Sequence, residues 1–245
     1  RSEPRRERRV SAARVAGTIE FSAVDGPGNR FVVFLQGCNL DCLACHNPQT
    51  IPLGGGRRVS VDELVEAIRP AAPFLSGVTV SGGEPTLQAG FVRDLFAALR
   101  DDPVLRRLTR FVDTNGDADR AVWDLLDPVL DGALVDLKAL DADLHRRLTG
   151  KGNDRVLESI RLLARRGKLA EVRLLLMAGV NDSDAQLAEV AAWLAGVDPR
   201  LRVRVQGYRA HGVRAVAADL VEPTAEQRRH YANVLTAAGF DVAVV

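Results

Sequence analysis

Short runs of apolar, often β-branched residues alternate along this chain with longer amphipathic segments rich in Ala, Leu and Arg. Phe31–Gln36, Gly77–Val80, Thr109–Val112, Ala133–Leu137, Glu171–Leu176 and Leu201–Gln206 read as buried strands, being short apolar runs bounded by turn residues. Val61–Ile68, Gln88–Arg100, Asp119–Leu126, Asp141–Leu148, Asp154–Arg166, Asp184–Leu194 and Ala225–Ala238 carry helical spacing. Ser60 is placed to cap the first of these helices, with Glu63 completing a capping box. Pro128 stops the helix ending near Leu126, and Asp241–Val245 reads as a closing strand.

Six strands alternating with helices predict an α/β fold with a mostly parallel sheet and right-handed crossovers. A partial or full (β/α) barrel and a doubly wound sheet both satisfy this pattern. In either, function belongs at the C-terminal ends of the strands.

At 245 residues the chain is long enough to bury a sizeable core without staples. Its 33 Lys and Arg face 32 Asp and Glu, a net charge of +1 that gives no support for a nucleic-acid or acidic-membrane partner. The basic residues crowd the start, so residues 1–14 read as a basic flexible tail and 15–245 as one domain. No apolar segment resembles a secretory signal or a membrane span. The three cysteines fall within eight residues, which suits a metal site in a reducing cytoplasm better than a disulfide framework.

Those cysteines are Cys38, Cys42 and Cys45, spaced C-x3-C-x2-C directly after a strand. Three thiolates in one tight loop suit three irons of a cubane, leaving the fourth iron open for another ligand. Zinc on three cysteines and His46 is the competing reading. His46 directly follows Cys45, however, and adjacent residues seldom both reach one small tetrahedral ion. Further motifs stand at strand ends: Ser81-Gly82-Gly83-Glu84-Pro85, Asp113-Thr114-Asn115-Gly116 and Leu134-Val135-Asp136-Leu137-Lys138. Val24-Asp25-Gly26-Pro27-Gly28 precedes the first predicted strand, and Gly179-Val180-Asn181-Asp182-Ser183 follows the fifth.

The cysteine spacing is the signature of the radical S-adenosylmethionine (SAM) superfamily, and the motifs together, in this order, resemble its glycyl-radical-enzyme activases. The resemblance implies a partial (β/α)6 TIM-type barrel with a [4Fe–4S] cluster on Cys38, Cys42 and Cys45. It implies reductive cleavage of SAM to a 5′-deoxyadenosyl radical, which abstracts a hydrogen atom from a glycine of a partner glycyl-radical enzyme. By the same resemblance Gly82, Gly83, Glu84, Asp113, Asp136 and Lys138 hold SAM. Asp113, Thr114 and the Leu134 backbone are candidates for a monovalent cation, and Asp25 and Gly26 lie near the partner's glycine segment. A flavodoxin or ferredoxin-type electron donor and a cytoplasmic location are implied as well. One segment departs from the family pattern. Gln206-Gly207-Tyr208-Arg209-Ala210-His211-Gly212 places Arg209 where the family has a SAM-binding histidine, so Arg209 and His211 are the expected adenosine contacts.

Two other functions compete. A radical SAM enzyme acting directly on a small molecule or peptide uses the same motifs. An iron–sulfur electron carrier would normally close its cluster with four ligands, and this chain has no fourth cysteine.

Overall fold

The structure is a computed structural model that describes residues 11–245. Its strands are β1 (Ala12–Ser22), β2 (Arg30–Leu35), β3 (Arg57–Ser60), β4 (Gly77–Gly82), β5 (Thr109–Thr114), β6 (Gly132–Leu137), β7 (Leu169–Leu176), β8 (Arg202–Gly207) and β9 (Asp241–Val244). They form one sheet in the order β3-β1-β2-β4-β5-β6-β7-β8-β9. All neighbours from β2 to β9 are parallel, while β1 is antiparallel to both β2 and β3. The six predicted strands are therefore the parallel run β2 to β8, a partial (β/α)6 barrel. The two outermost strands, β3 and β9, are not paired with each other.

The helices are α1 (Val61–Ile68), α2 (Ala89–Asp101), α3 (Arg120–Leu126), α4 (Ala142–Thr149), α5 (Asp154–Arg165), α6 (Asp184–Val197) and α7 (Ala225–Ala237). The capping box expected at Ser60 and Glu63 is present, and similar boxes open α6 and α7. Side chains alternate along each strand. One set, including Val33, Val80, Val112, Val135, Val172 and Val203, is buried against helix residues such as Leu95, Leu99, Trp123 and Ile160. Each such aliphatic burial stabilises the fold by roughly 1.5–3 kcal/mol.

The alternate set faces the barrel interior and is unusually polar: Thr79, Ser81, Arg173 and Arg204 are buried, and Asp113 is half-buried. At its base Arg30, also fully buried, donates to Thr79 Oγ1 at 2.6 Å and the Val78 carbonyl at 2.8 Å. Its guanidinium lies 4.4 Å from the centre of the Phe111 ring.

The Val24–Gly28 segment is the floor of this interior. The antiparallel β1 must turn into the N-terminal end of β2, the end opposite the cysteine loop. The loop is tied inward there: the Val24 carbonyl accepts from Arg173 Nη2 at 3.1 Å and Arg204 Nη1 at 3.3 Å, and the Asp25 carbonyl from Thr79 Oγ1 at 2.6 Å. Gly28 has φ +74°, and a Cβ there would sit 2.3 Å from Ser76 Oγ, so the turn requires glycine.

Two strands lie outside the sequence reading. β3 is only four residues, and the middle of β1 is exposed on both faces, so neither carries an alternating pattern. The domain boundary moves as well. Ala12, Ala13 and Arg14, read as tail, pair with β3, while residues 1–10 of that basic stretch lie outside the described residues. Among the described residues no helix is long and apolar enough to cross a membrane.

Candidate active site

A cavity of about 260 Å³ opens at the C-terminal ends of the parallel strands. All three cysteines line it, together with Gly82, Gly83, Asp113, Thr114, Asp136 and Lys138, and Asp25 reaches it from the floor.

The cysteine loop is held from several sides. Gly37, at φ +99°, turns the chain out of β2, and the N–H groups of Gly37 and Cys38 donate to the carbonyls of Thr50 and Ile51 at 2.8 and 3.0 Å. Asp41 and Leu43 donate to Thr149 and Leu148 at the end of α4, each at 2.9 Å. Arg214 reaches over from beyond β8 to the Cys42 carbonyl at 3.0 Å and the Asp41 carboxylate at 2.7 Å. His46 Nε2 donates to the Arg209 carbonyl at 3.0 Å, so that ring nitrogen carries a proton and is engaged there.

Burial pushes the Cys42 thiol up to about 12, with Lys138 opposing, and the Cys38 thiol up to about 11, with the Leu40 N–H opposing. Metal-free Cys38 and Cys42 are thus protonated at neutral pH, and metal binding to them would release protons. Among the described residues no three His, Cys, Asp or Glu converge as ligands of one ion do. A cubane asks for a different arrangement, one thiolate on each of three irons. Three half-buried thiols lining one cavity fit that demand.

Asp136 and Lys138 form an ion pair of 2.7 Å on the cavity wall. Burial alone would lower the Lys138 pKa, but neighbouring anionic groups, Asp136 foremost, raise it, so Lys138 is a cation. Asp113 accepts from Ser81 Oγ at 3.0 Å and pairs with Arg173 Nη1 at 3.1 Å. Burial raises its pKa to about 6 against the pull of Arg173. Thr114 lines the same wall, but its hydroxyl donates to Glu84 at 2.8 Å. The two cation candidates are therefore adjacent and already engaged.

Two expectations are corrected. The Glu84 carboxylate is fully buried and takes donors from Thr86, Thr114 and Asn115 rather than facing the cavity. Arg209 and His211 are exposed and do not line the cavity, because the chain turns outward after Tyr208, which is itself fully buried. Asp25 and Gly26 lie at the floor of the barrel, and Asp25 reaches the cavity from there. Asn181 lies beside the site and not in it. Its side chain donates to the Lys138 carbonyl at 3.0 Å and the Leu175 carbonyl at 2.8 Å, bracing the ends of β6 and β7. Sequence reasoning missed Arg173, Asn115 and Gln206, all on the cavity wall. The readable signal for Arg173 was a charge set between Val172 and Leu174 inside a strand.

Residues 32–191 match the family model of the radical SAM superfamily. This chain belongs to the radical SAM superfamily. As a radical SAM enzyme it uses a [4Fe–4S] cluster and SAM. It is 37% identical over 200 residues to the pyruvate formate-lyase-activating enzyme of Staphylococcus aureus (strain USA300), covering 79% of this chain and 80% of that protein. A solved domain of the pyruvate-formate lyase-activating enzyme from Bacteroides vulgatus matches with TM-score 0.58 and 26% identity, over 69% of this chain and 99% of that one. A radical SAM methyltransferase from Sphaerobacter thermophilus shares the fold at TM-score 0.69 and 21% identity, covering 88% of this radical SAM enzyme and 66% of the other chain.

Proposed function

We propose that this radical SAM enzyme is an activase that abstracts a hydrogen atom from a glycine Cα of a separate glycyl-radical enzyme. The observation that carries the reading is the relation to pyruvate formate-lyase-activating enzymes across 80% of their length. The unclosed sheet supports it, since a barrel whose edge strands do not pair leaves a side through which a loop of another protein can reach the cavity.

In this reading Cys38, Cys42 and Cys45 each hold one iron. When bound and reduced, the cluster supplies the electron that cleaves SAM, and with it the hydrogen-atom abstractor. The carbonyls of Gly82 and Gly83 accept from the SAM ammonium, since glycine lets backbone approach a ligand closely. Lys138 meets a carboxylate or ribose oxygen, and Asp136 keeps Lys138 charged and aimed. Asp113 and Asp25 flank the lower cavity, where Asp25 is placed to accept an N–H of the incoming glycine segment. Asp25 is itself oriented by the Ser22 hydroxyl. Holding the hydrogen donor beside the reacting group makes abstraction effectively intramolecular. The electron comes from a flavodoxin or ferredoxin-type donor, and reduced thiols suit a cytoplasmic location.

The test is to mix reduced enzyme, SAM and a co-encoded glycyl-radical partner without oxygen. A glycyl doublet in the EPR spectrum, absent with Cys38→Ala and weakened with Asp25→Ala, is the expected result. Rapid 5′-deoxyadenosine formation with a small metabolite or peptide, and no radical on the partner, would favour direct action on that substrate instead.

A further inference from the structure

The Cys38 sulfur faces two N–H donors. The backbone N–H of Leu40 lies 3.5 Å from it and Nδ2 of Asn115 lies 3.7 Å from it. Which way the Asn115 amide points is settled by its neighbours. Its Oδ1 accepts the backbone N–H of Asp117 at 2.8 Å, so the NH2 end faces the other way. One of those hydrogens goes to Asn39 Oδ1 at 2.8 Å, and the second is left for the sulfur. Asn39 is oriented in turn, because its Nδ2 donates to the carbonyl and carboxylate of Asp117 at 2.8 and 3.0 Å. Lys151 Nζ closes the chain on Asp117 Oδ2 at 3.1 Å. Asn115 and its partner Asp117 are only 9% and 8% exposed, so flipping the Asn115 amide would orphan buried polar atoms.

A thiolate that accepts an N–H bond shares its charge with the donor. A reduced cluster carries one more electron than an oxidised one. The donor therefore stabilises the reduced state more, and hydrogen bonds to the sulfurs are among the terms that set a cluster's potential. We infer that Asn115 is a positioning residue for electron supply: its amide raises the reduction potential of the cluster through Cys38, and Asn39 and Asp117 hold that amide in place. The inference rests on the proposed ligation of iron by Cys38. It gives the asparagine of the D-T-N-G segment a role separate from the wall residues beside it, because SAM cleavage starts only from the reduced cluster.

The test uses anaerobically reconstituted wild type and Asn115→Leu, with iron counted and the cluster titrated by EPR without SAM. The iron-loaded variant is expected to show a roughly tenfold smaller ratio of reduced to oxidised cluster at a fixed poise, about 59 mV for a one-electron couple. Asn39→Ala, which keeps the donor but frees it, is expected to shift the potential the same way by less. An unchanged potential in iron-loaded Asn115→Leu overturns the inference while leaving the ligand assignment intact. Should that variant fail to take up iron, wild-type protein with nitrogen-15 in its asparagine side chains decides. Pulsed EPR of the reduced cluster is expected to show coupling to one asparagine amide, and its absence overturns the inference. Wild type that assembles no cluster overturns the ligand assignment and this inference together.

Discussion

Glu84 Oε2 accepts the backbone N–H of Asn115 at 2.8 Å, while its Oε1 accepts the hydroxyls of Thr86 and Thr114 at 2.6 and 2.8 Å. One carboxylate thus joins the turn after β4 to the end of β5, the two walls that carry Gly82, Gly83 and Asp113. Burial raises its pKa and these donors oppose the rise. The GGE glutamate acts here on the shape of the cavity.

Removing it should therefore be felt as lost stability before lost affinity. Glu84→Ala leaves buried donors without acceptors, at about 1–3 kcal/mol for each orphaned group. For a chain of this size that lowers the melting temperature of the apoprotein by roughly 10 °C or more. Thermal unfolding without metal or SAM checks it, and an unchanged melting temperature would contradict the geometry.

Lys138 makes the opposite prediction. It lines the cavity and is paired with Asp136. Lys138→Ala should keep a full complement of iron and weaken SAM binding by roughly one to two decades, the loss of a charge-assisted hydrogen bond. Equilibrium binding to the reconstituted protein is the measurement. SAM affinity equal to wild type would move the ligand elsewhere in the cavity.

The segment after β8 separates two kinds of arginine. Arg209 is exposed and off the cavity, so Arg209→Ala and His211→Ala should each leave SAM affinity within about twofold, as surface changes generally do. Arg214 holds the Cys42 carbonyl. Arg214→Ala should release iron to a chelator about three- to tenfold faster, the range set by one net hydrogen bond. Equal release rates in the two arginine variants would show that the loop does not depend on Arg214.

His145 supplies a pH dependence. It is buried on α4, with Nδ1 at 2.8 Å from the Lys151 carbonyl. Burial lowers its pKa from the ordinary 6.5, the Lys151 bond opposes, Lys138 lowers it further and Asp117 raises it. The unfolded chain therefore binds the proton more readily, and stability falls as the pH drops below about 6.5. Because α4 carries the anchors of the cysteine loop, metal retention should decline over the same interval. Denaturant midpoints at several pH values check this, with His145→Gln expected to flatten the profile. An imidazole seen by NMR to titrate above 6.5 would reverse the sign.

Much of this was readable before any coordinates. The parallel strands announced themselves as apolar runs, and Cys38, Cys42, Cys45, Gly82, Gly83, Asp136 and Lys138 meet at one cavity because each follows or ends a strand. What stayed hidden has physical causes. β1 shows no alternation because Ala16–Phe21 is exposed on both faces, and Gly17 further weakens a strand reading. Arg209 was misplaced because nearness in sequence to a ligand-facing strand end says nothing of which way the chain turns next. Glu84 was assigned to SAM because its partners, Thr114 and Asn115, come some thirty residues later and meet it only through the pairing of β4 with β5.

Arg173 touches both ends of the barrel interior. It bonds the Val24 carbonyl in the floor and the Asp113 carboxylate in the cavity. A ligand that draws on Asp113 changes the hold on Val24, and anything that displaces Val24, 54% exposed on the underside, changes the partner of Asp113. Occupancy above and contact below are therefore expected to be linked, and any such coupling is reciprocal. Measured on the intact enzyme, that coupling would appear as SAM affinity that depends on the side chain at position 24, although that residue is not among those that line the cavity.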